Sequence, residues 1–258
     1  MVESFSLSLA AVDVLAQTLD VHLRRFPLEL PSFGETADDR VRIARAVFTD
    51  LAKRGLVRHG ELHEDLIRAL RALSDFEVAV AAMGTLEQDR RLFARASANR
   101  DAGALAVQEG QQLKVTLIRP TALAMTMVGL LPKAEAGPGQ SVTVAQPAAV
   151  GGRGDEVGGF SSVHPGHRRA DPVLRIAESY LARPRTGSGF FSVSGRDRHG
   201  KEIQAGSIGW FDTDAGRYLS LTRPAGEDGQ VHGTFSPADP ARLTQQLGQL
   251  IQAAVPRP

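Results

Sequence analysis

Few residues in this 258-residue chain have the type and spacing that chemistry needs. His59 and His63 stand four apart, which on a helix would turn two imidazoles to one face and let them share a metal ion. Gly60 between them argues for a turn instead, and the order is not the His-Glu-x-x-His of a zinc hydrolase. His164 and His167 flank Pro165-Gly166 in a glycine-rich stretch, where a rigid ligand set would need further partners. Arg153-Gly154-Asp155, in the same stretch, has the form of an adhesion tripeptide but no context for that role. Asp212 and Asp214 are a carboxylate pair that could do acid–base work. Asp-Thr-Asp-Ala-Gly between two β-like runs is first of all a turn whose side chains bond their own backbone. There is no Gly-x-Ser-x-Gly elbow, no phosphate loop and no Gly-x-Gly-x-x-Gly fingerprint, and zero Cys removes thiolate chemistry altogether. The expectation is a protein without catalysis, cofactor or metal.

The elements around that turn organise the chain. Ile208 to Phe211 and Tyr218 to Leu221 alternate and are rich in aromatic residues, so Asp212 to Gly216 joins a hairpin. Trp210, the single Trp, and Phe211 fall on opposite faces of one strand; one is core, and the other must be covered by a helix or a partner. A third run ends at Phe235, and Ser236-Pro237-Ala238-Asp239-Pro240 offers a hydroxyl cap and prolines that suit a first helical turn. Leu243, Leu247, Leu250 and Ile251 then share one helix face. Burying all four would contribute roughly 6–12 kcal/mol before ordering entropy is subtracted.

The same order of features occurs earlier. Asp101-Ala102-Gly103 repeats Asp214-Ala215-Gly216, the run Gln112 to Leu117 parallels Gln230 to Phe235, and Pro120 parallels Pro240. Leu123, Met127, Leu130 and Leu131 repeat the spacing of the last helix. Helices at 61–73 and 172–182 precede strands that start near Phe76 and Phe190. Two half-repeats, 61–132 and 170–255, are predicted, each helix, four strands, helix, with quasi-twofold symmetry. A Gly/Pro-rich segment, 133–169, is read as a flexible linker too poor in apolar residues to pack. Before the repeats come a strand at Phe5 to Leu9, a short helix through Val12, Leu15 and Leu19, and an extended, proline-bounded edge strand at Phe26 to Pro31. A helix from Asp38 to Arg54, ended by Gly55, completes the N-terminal part. The first four strands of the repeats are placed at 76–83, 90–97, 103–108 and 111–118, followed by a helix running to Leu131. Short turns make neighbouring strands antiparallel. The fold class is therefore α/β in the mixed α+β sense, a single domain over 1–258 with one central antiparallel sheet and flanking helical bundles.

A hydrophobic content of 42% is enough to build a core, and a net charge of +1 provides no field to attract a polyanion, so nucleic acid is not an expected partner. No apolar run reaches the ~20 residues of a membrane span. Met1 to Asp20 lacks a basic start and a small-residue cleavage site, which predicts a cytoplasmic location and no membrane association.

Three stretches together resemble the EspG family, the cytosolic chaperones of mycobacterial type VII (ESX) secretion and their actinobacterial relatives. The first is Leu51-Ala52-Lys53-Arg54-Gly55-Leu56-Val57 leading into Glu61 to Leu66 and Leu70 to Leu73. The second is Leu130-Leu131-Pro132 followed by Gly137 to Val142. The third is Trp210 to Tyr218, closed by Pro237 to Leu243. The resemblance implies an α/β fold with quasi-twofold symmetry. It also implies a chaperone that binds the apolar tip of a PPE protein in a PE–PPE heterodimer through the central sheet and the C-terminal helical bundle. Candidate contacts, chosen by strand and loop position, are Trp210, Asp212, Arg217 and Leu219 on the second hairpin, Arg196 and Arg198 in the preceding loop, and Leu243 and Leu247 near the last helix. The free chain is expected to be a monomer or weak homodimer. Two other classes stay open: a small-ligand carrier or enzyme with a pocket between the sheet and the C-terminal helix, and a purely structural dimer.

Overall fold

The structure is a computed structural model that describes residues 4–147, 172–223 and 230–255. Its centre is a ten-stranded sheet, antiparallel at each of its strand pairs. The strands are β1 (Ser4–Ser8), β4 (Val78–Thr85), β5 (Arg91–Ala98), β6 (Gly103–Glu109), β7 (Gln112–Ile118), β8 (Val142–Pro147), β9 (Arg185–Arg196), β10 (Glu202–Thr213), β11 (Gly216–Arg223) and β12 (Gln230–Pro237). A separate two-residue pair, β2 (Val57–Arg58) and β3 (Glu61–Leu62), forms a small ribbon. Across the large sheet the order is β1-β7-β6-β5-β4-β9-β10-β11-β12-β8.

Counted outward from the β4–β9 pair, each side runs through three further strands in chain order and ends in a strand that precedes a helical segment. The turns at Asp101-Ala102-Gly103 and Asp214-Ala215-Gly216 occupy the same place in this order, between the second and third strands. The order alone does not make the fold twofold symmetric, because the helices differ. Three helices, α1 (Leu9–Leu19), α2 (Ala37–Lys53) and α3 (Glu64–Ser74), lie between β1 and β4, whereas among the described residues α5 (Pro172–Leu181) alone lies between β8 and β9. The helix that follows β7, α4 (Leu123–Val128), has 6 residues, and the one that follows β12, α6 (Pro240–Ala254), has 15.

Local chemistry sets these helices. The Ser8 side chain accepts from the Ala11 amide at the start of α1, and Thr36 accepts from Asp39 at the start of α2. Glu64 and Asp65 open α3 and Arg71 lies in its last turn, matching the helix dipole. At α6 the cap is the Asp239 carboxylate, bonded to the Arg242 amide 2.7 Å away, with Pro240 in the first turn. The expected hydroxyl cap, Ser236, is instead buried in β12.

The two faces of the sheet are covered differently. On one, α4 and α6 seal the centre: Leu123, Met127, Leu243 and Leu247 pack on Val80, Ala94, Phe191, Ile208, Trp210 and Leu219. On the other, α1, α2 and α3 cover β5–β7 through Leu15, Leu51, Leu66, Leu70, Leu113 and Val115. At the far end of that second face, α5 covers Phe211, Tyr218, Phe235 and Val142 of the edge strand β8 through Ala177 and Tyr180. Trp210 and Phe211 are thus both internal, on opposite faces. Among the described residues no helix is long and apolar enough to cross a membrane.

Three expectations are corrected. Phe26 to Pro31 is not an edge strand but irregular chain, whose prolines withhold ladder donors and whose backbone is bonded by the side chains of Arg24, Arg95 and Gln108. The helix after β7 ends at Val128 rather than Leu131. The segment from 133 is packed at least as far as β8, and its glycines are the reason. A Cβ on Gly137 would collide with the Tyr218 ring and one on Gly139 with Tyr180. The Tyr218 hydroxyl donates to the Pro138 carbonyl (2.9 Å), and the Tyr180 hydroxyl both accepts from the Gln140 amide and donates to its carbonyl (2.9 Å each). Two tyrosines supply the apolar surface that the segment itself lacks. The rest of the expected linker, with His164, His167 and Arg153 to Asp155, lies outside the described residues.

The join between the two sides is unusually close. Gly84 of β4 and Gly189 of β9 are register partners, and the Trp210 indole lies across both. A Cβ on Gly84 would stand 2.5 Å from the Ser188 carbonyl oxygen and 2.8 Å from the Gly189 Cα; one on Gly189 would stand 2.8 Å from the Gly84 Cα and 2.9 Å from the indole. Gly84→Ala and Gly189→Ala are each expected to lower the unfolding free energy by about 1–3 kcal/mol, read from urea midpoints. Midpoints equal to wild type would show that the strands have room to part.

Candidate partner-binding surface

Among the described residues, the second face leaves its centre open. Between the helices over β5–β7 and those over β11, β12 and β8, one register row runs Phe93, Met83, Phe190, Gly209, Ser220 across β5, β4, β9, β10 and β11. The next row runs Arg95, Ala81, Ser192, Ser207. The side chains on β9 and β10 here are mostly small hydroxyls or hydrogen, so the floor is low, and Ser192, Ser207, Gly209 and Ser220 are only half-buried. At one side stands an apolar cluster. Met83 is 37% exposed, and Phe26, from the chain between α1 and α2, is 55% exposed with its ring nearly parallel to that of Phe190 (centroids 6.2 Å, 11° between planes). An exposed phenylalanine and methionine beside a half-buried second ring are the kind of surface that marks a protein contact.

Beneath Phe26 lies an ion cluster. Arg95 is buried and donates to Glu202 Oε1 (2.8 Å) and to the Phe26 carbonyl (3.1 Å). Arg25 reaches Glu202 Oε2 (3.2 Å), and the Ser194 hydroxyl donates to Glu202 Oε1 (2.6 Å). Burial lowers the pKa of the Arg95 guanidinium, against the opposing pull of Glu202. For Glu202, burial pushes upward. The Arg95 charge, the hydrogen bonds from Ser194 and Arg95, and the Arg25 charge together outweigh it and hold the carboxyl below its usual value.

The eight contacts expected from sequence do not gather at this surface. Leu243 and Leu247 lie on the inner side of α6, and Trp210 and Leu219 lie beneath it; all four are core. The space between the sheet and the C-terminal helix is thus filled by side chains, where the ligand-carrier reading needs a pocket. Asp212 and Arg217 are register partners across the β10–β11 hairpin and form a buried bidentate pair: Arg217 Nε to Oδ1 2.6 Å, Nη2 to Oδ2 2.8 Å. Nη2 also donates to the Pro132 carbonyl (2.8 Å), and the guanidinium lies 5.8 Å from the centre of the Trp210 ring. Arg196 is half-buried and donates to the Ser74, Phe76 and Gly200 carbonyls, so it closes the end of α3. Arg198 alone of the eight is exposed, in the β9–β10 turn. Asp214 is an exposed turn residue 3.6 Å from Arg183. Among the described residues no group of three or more His, Asp or Glu could hold a metal ion. The residues that do form the open face, Phe26, Met83, Phe93 and Phe190, had one sequence signal: Ser188, Phe190, Ser192 and Ser194 alternate along one face of a central strand where a core face would read apolar.

Fold and face together describe a mixed α+β protein whose exposed feature is a broad surface suited to another protein. The EspG family model matches residues 8–249, nearly the full length, and the chain belongs to the EspG family. The fold is similar to that of the Mycobacterium tuberculosis type VII secretion system chaperone EspG5, solved in complex with a PE25–PPE41 dimer. The TM-score is 0.67 at 13% identity, with 98% of this chain and 97% of that one covered. No curated protein sequence matches significantly.

Two outcomes follow from the charged groups. Asp212→Ala leaves Arg217 buried without its carboxylate and is expected to cost about 3–5 kcal/mol by urea unfolding, while Asp212→Leu with Arg217→Met loses far less. For Glu202 the folded pKa is depressed, so its contribution to stability is complete above the ordinary glutamate value and disappears as pH falls through the depressed one. Urea midpoints taken from pH 7 to 3 should therefore fall more steeply in wild type than in Glu202→Gln. Parallel curves would remove Glu202 from the account of acid sensitivity.

Proposed function

We propose that this chain is a type VII secretion chaperone that binds a PE–PPE heterodimer by docking the apolar helical tip of the PPE subunit onto the open centre of the sheet. The protein then works as a binder without catalysis, in the cytoplasm, keeping an aggregation-prone substrate soluble until export. The observation that carries this reading is the open central face in a chain that belongs to the EspG family. With α4 and α6 over the other side, this face gives access to the central strands. Its floor of Ser and Gly lets a partner backbone come close, while Phe26, Phe190 and Met83 supply apolar contact.

The ligand-carrier reading has less to rest on. A cavity of about 540 Å³ beside α1 is lined by Asp13, Arg24 and Arg40 among others, and Asp13 is bonded by both arginines and by the Phe33 amide. These groups satisfy one another and hold the chain between α1 and α2.

Co-expression with the nearest encoded PE–PPE pair, followed by size exclusion and calorimetry, tests the proposal. A stable 1:1:1 complex is expected. Ser207→Glu, placed on the half-buried floor, should weaken it at least 100-fold, a change of about 2.7 kcal/mol. Its unfolding midpoint should stay within about 0.5 kcal/mol of wild type. Met125→Glu, on α4 at the opposite face and 66% exposed, should bind as wild type does. A folded PE–PPE pair that ignores the chain would end this reading.

A further inference from the structure

The chain from 20 to 36 has no regular structure, yet it is tied down along its length. The Val21 amide donates to the Ala16 carbonyl (2.9 Å) and the His22 amide to Ser74 Oγ (2.8 Å). Gln108 makes two bonds to the Glu29 backbone, accepting from its amide (2.8 Å) and donating to its carbonyl (3.0 Å). Arg24 donates to the Leu30 carbonyl (3.0 Å), and the Phe33 amide donates to Asp13 (3.0 Å). A strap anchored at this many points holds its shape, and the large apolar side chain it exposes is Phe26, stacked on Phe190 at the border of the open face. Phenylalanine so exposed gains little from the fold itself, since burying aromatic surface is what stabilises and most of this ring stays in water.

Next to Phe26, the strap is held by charge. Glu202 of β10 receives Arg25 from the strap and Arg95 from β5, and Arg95 in turn holds the Phe26 carbonyl. The guanidiniums of Arg25, Arg95 and Arg196 all lie over the Phe76 ring, at 5.9, 4.9 and 4.4 Å from its centre. These cations crowd one ring, and the Glu202 carboxylate between Arg25 and Arg95 lets that pair sit together. Without it, the two guanidiniums repel, and Arg25 is the one with a route to solvent because it belongs to the strap.

We propose that Phe26 is a contact residue for the PPE tip and that Glu202 is its positioning residue, latching the strap through Arg25 and Arg95 so that the ring lies flat on Phe190. This rests on the chaperone reading above, and the chain alone provides a separate test of the latch. The strap carries the tryptic bonds after Arg24 and Arg25. In the isolated chain, Glu202→Gln should speed cleavage there about tenfold. Arg25→Gln, which breaks the outer arm but leaves Arg95 paired, should do the same after Arg24 and keep the test open where Glu202→Gln folds poorly.

With the PE–PPE pair, Phe26→Ala should weaken binding about tenfold at an unchanged unfolding midpoint. The double-mutant cycle then separates positioning from general damage. Glu202→Gln should weaken binding about fivefold when Phe26 is present and have no effect in the Phe26→Ala background. Equal losses in both backgrounds would make Glu202 merely structural, and wild-type affinity for Phe26→Ala would remove the ring from the interface. Strap cleavage at the wild-type rate in both latch variants overturns the latch. No binding by wild type would overturn the contact role together with the chaperone reading, while cleavage still decides the latch.

Discussion

The closeness of β4 and β9 is the constraint on which the rest of the molecule depends. These two strands are the seam where the five strands of one side meet the five of the other, and no loop joins them directly. The seam is held by ladder hydrogen bonds and by one indole. Trp210 lies flat only because Gly84 and Gly189, neighbours across the seam, have no side chains beneath it. The same Trp210 is the floor under α6 and the neighbour of the Arg217 guanidinium. One ring thus links the seam, the C-terminal helix and the buried ion pair. Substituting either glycine perturbs all three.

The open face follows from where the helices attach. The helices α1–α3, which lie between β1 and β4 in the chain, settle over β5–β7, and α5, which leads into β9, settles near β8. On the opposite face α4 and α6 follow β7 and β12 and fold inward over the centre, where they touch each other. Among the described residues, the centre of the second face is left without a cover. Strand faces in that position cannot be strongly apolar without inviting aggregation. β9 and β10 answer with Ser192, Ser207 and Gly209.

Much of this was legible in the sequence, for identifiable reasons. Alternation and turn residues located the eight strands β4–β7 and β9–β12, because Asp-Ala-Gly turns carry their own backbone preferences. Matching runs in the two halves correspond to matching places in the strand order, although the helices around them do not correspond. The open face was not legible. Asp212 and Arg217 were candidate contacts by strand and loop position alone. Yet a two-residue turn at Asp214-Ala215 sets Thr213 opposite Gly216 and therefore Asp212 opposite Arg217, close enough to satisfy each other without water. Leu243 and Leu247 could not be both the inner face of a helix and a surface for a partner. β8 and the packed segment before it were hidden because tyrosines 180 and 218, distant in sequence, supply their core.

On the proposed reading, a chaperone of apolar helix tips must meet two opposed demands, and the composition of the open face agrees with both. When free it must not itself expose the kind of surface it exists to cover. When bound it must offer enough apolar contact to compete with aggregation of its substrate. Hydroxyl and glycine residues cost little to leave in water and little to cover, since Ser can bond a partner backbone or keep a bridging water. Affinity in such surfaces comes from a few anchors rather than from area. Phe26, Phe190 and Met83 are the anchors the proposed reading assigns, gathered at one side of a polar floor. Of the three, Phe190 is fixed by the sheet, Met83 adapts through its flexible thioether, and Phe26 sits where the strap holds it. A face assembled this way can stay soluble alone and still discriminate among helical tips by how well their side chains fit one aromatic pair.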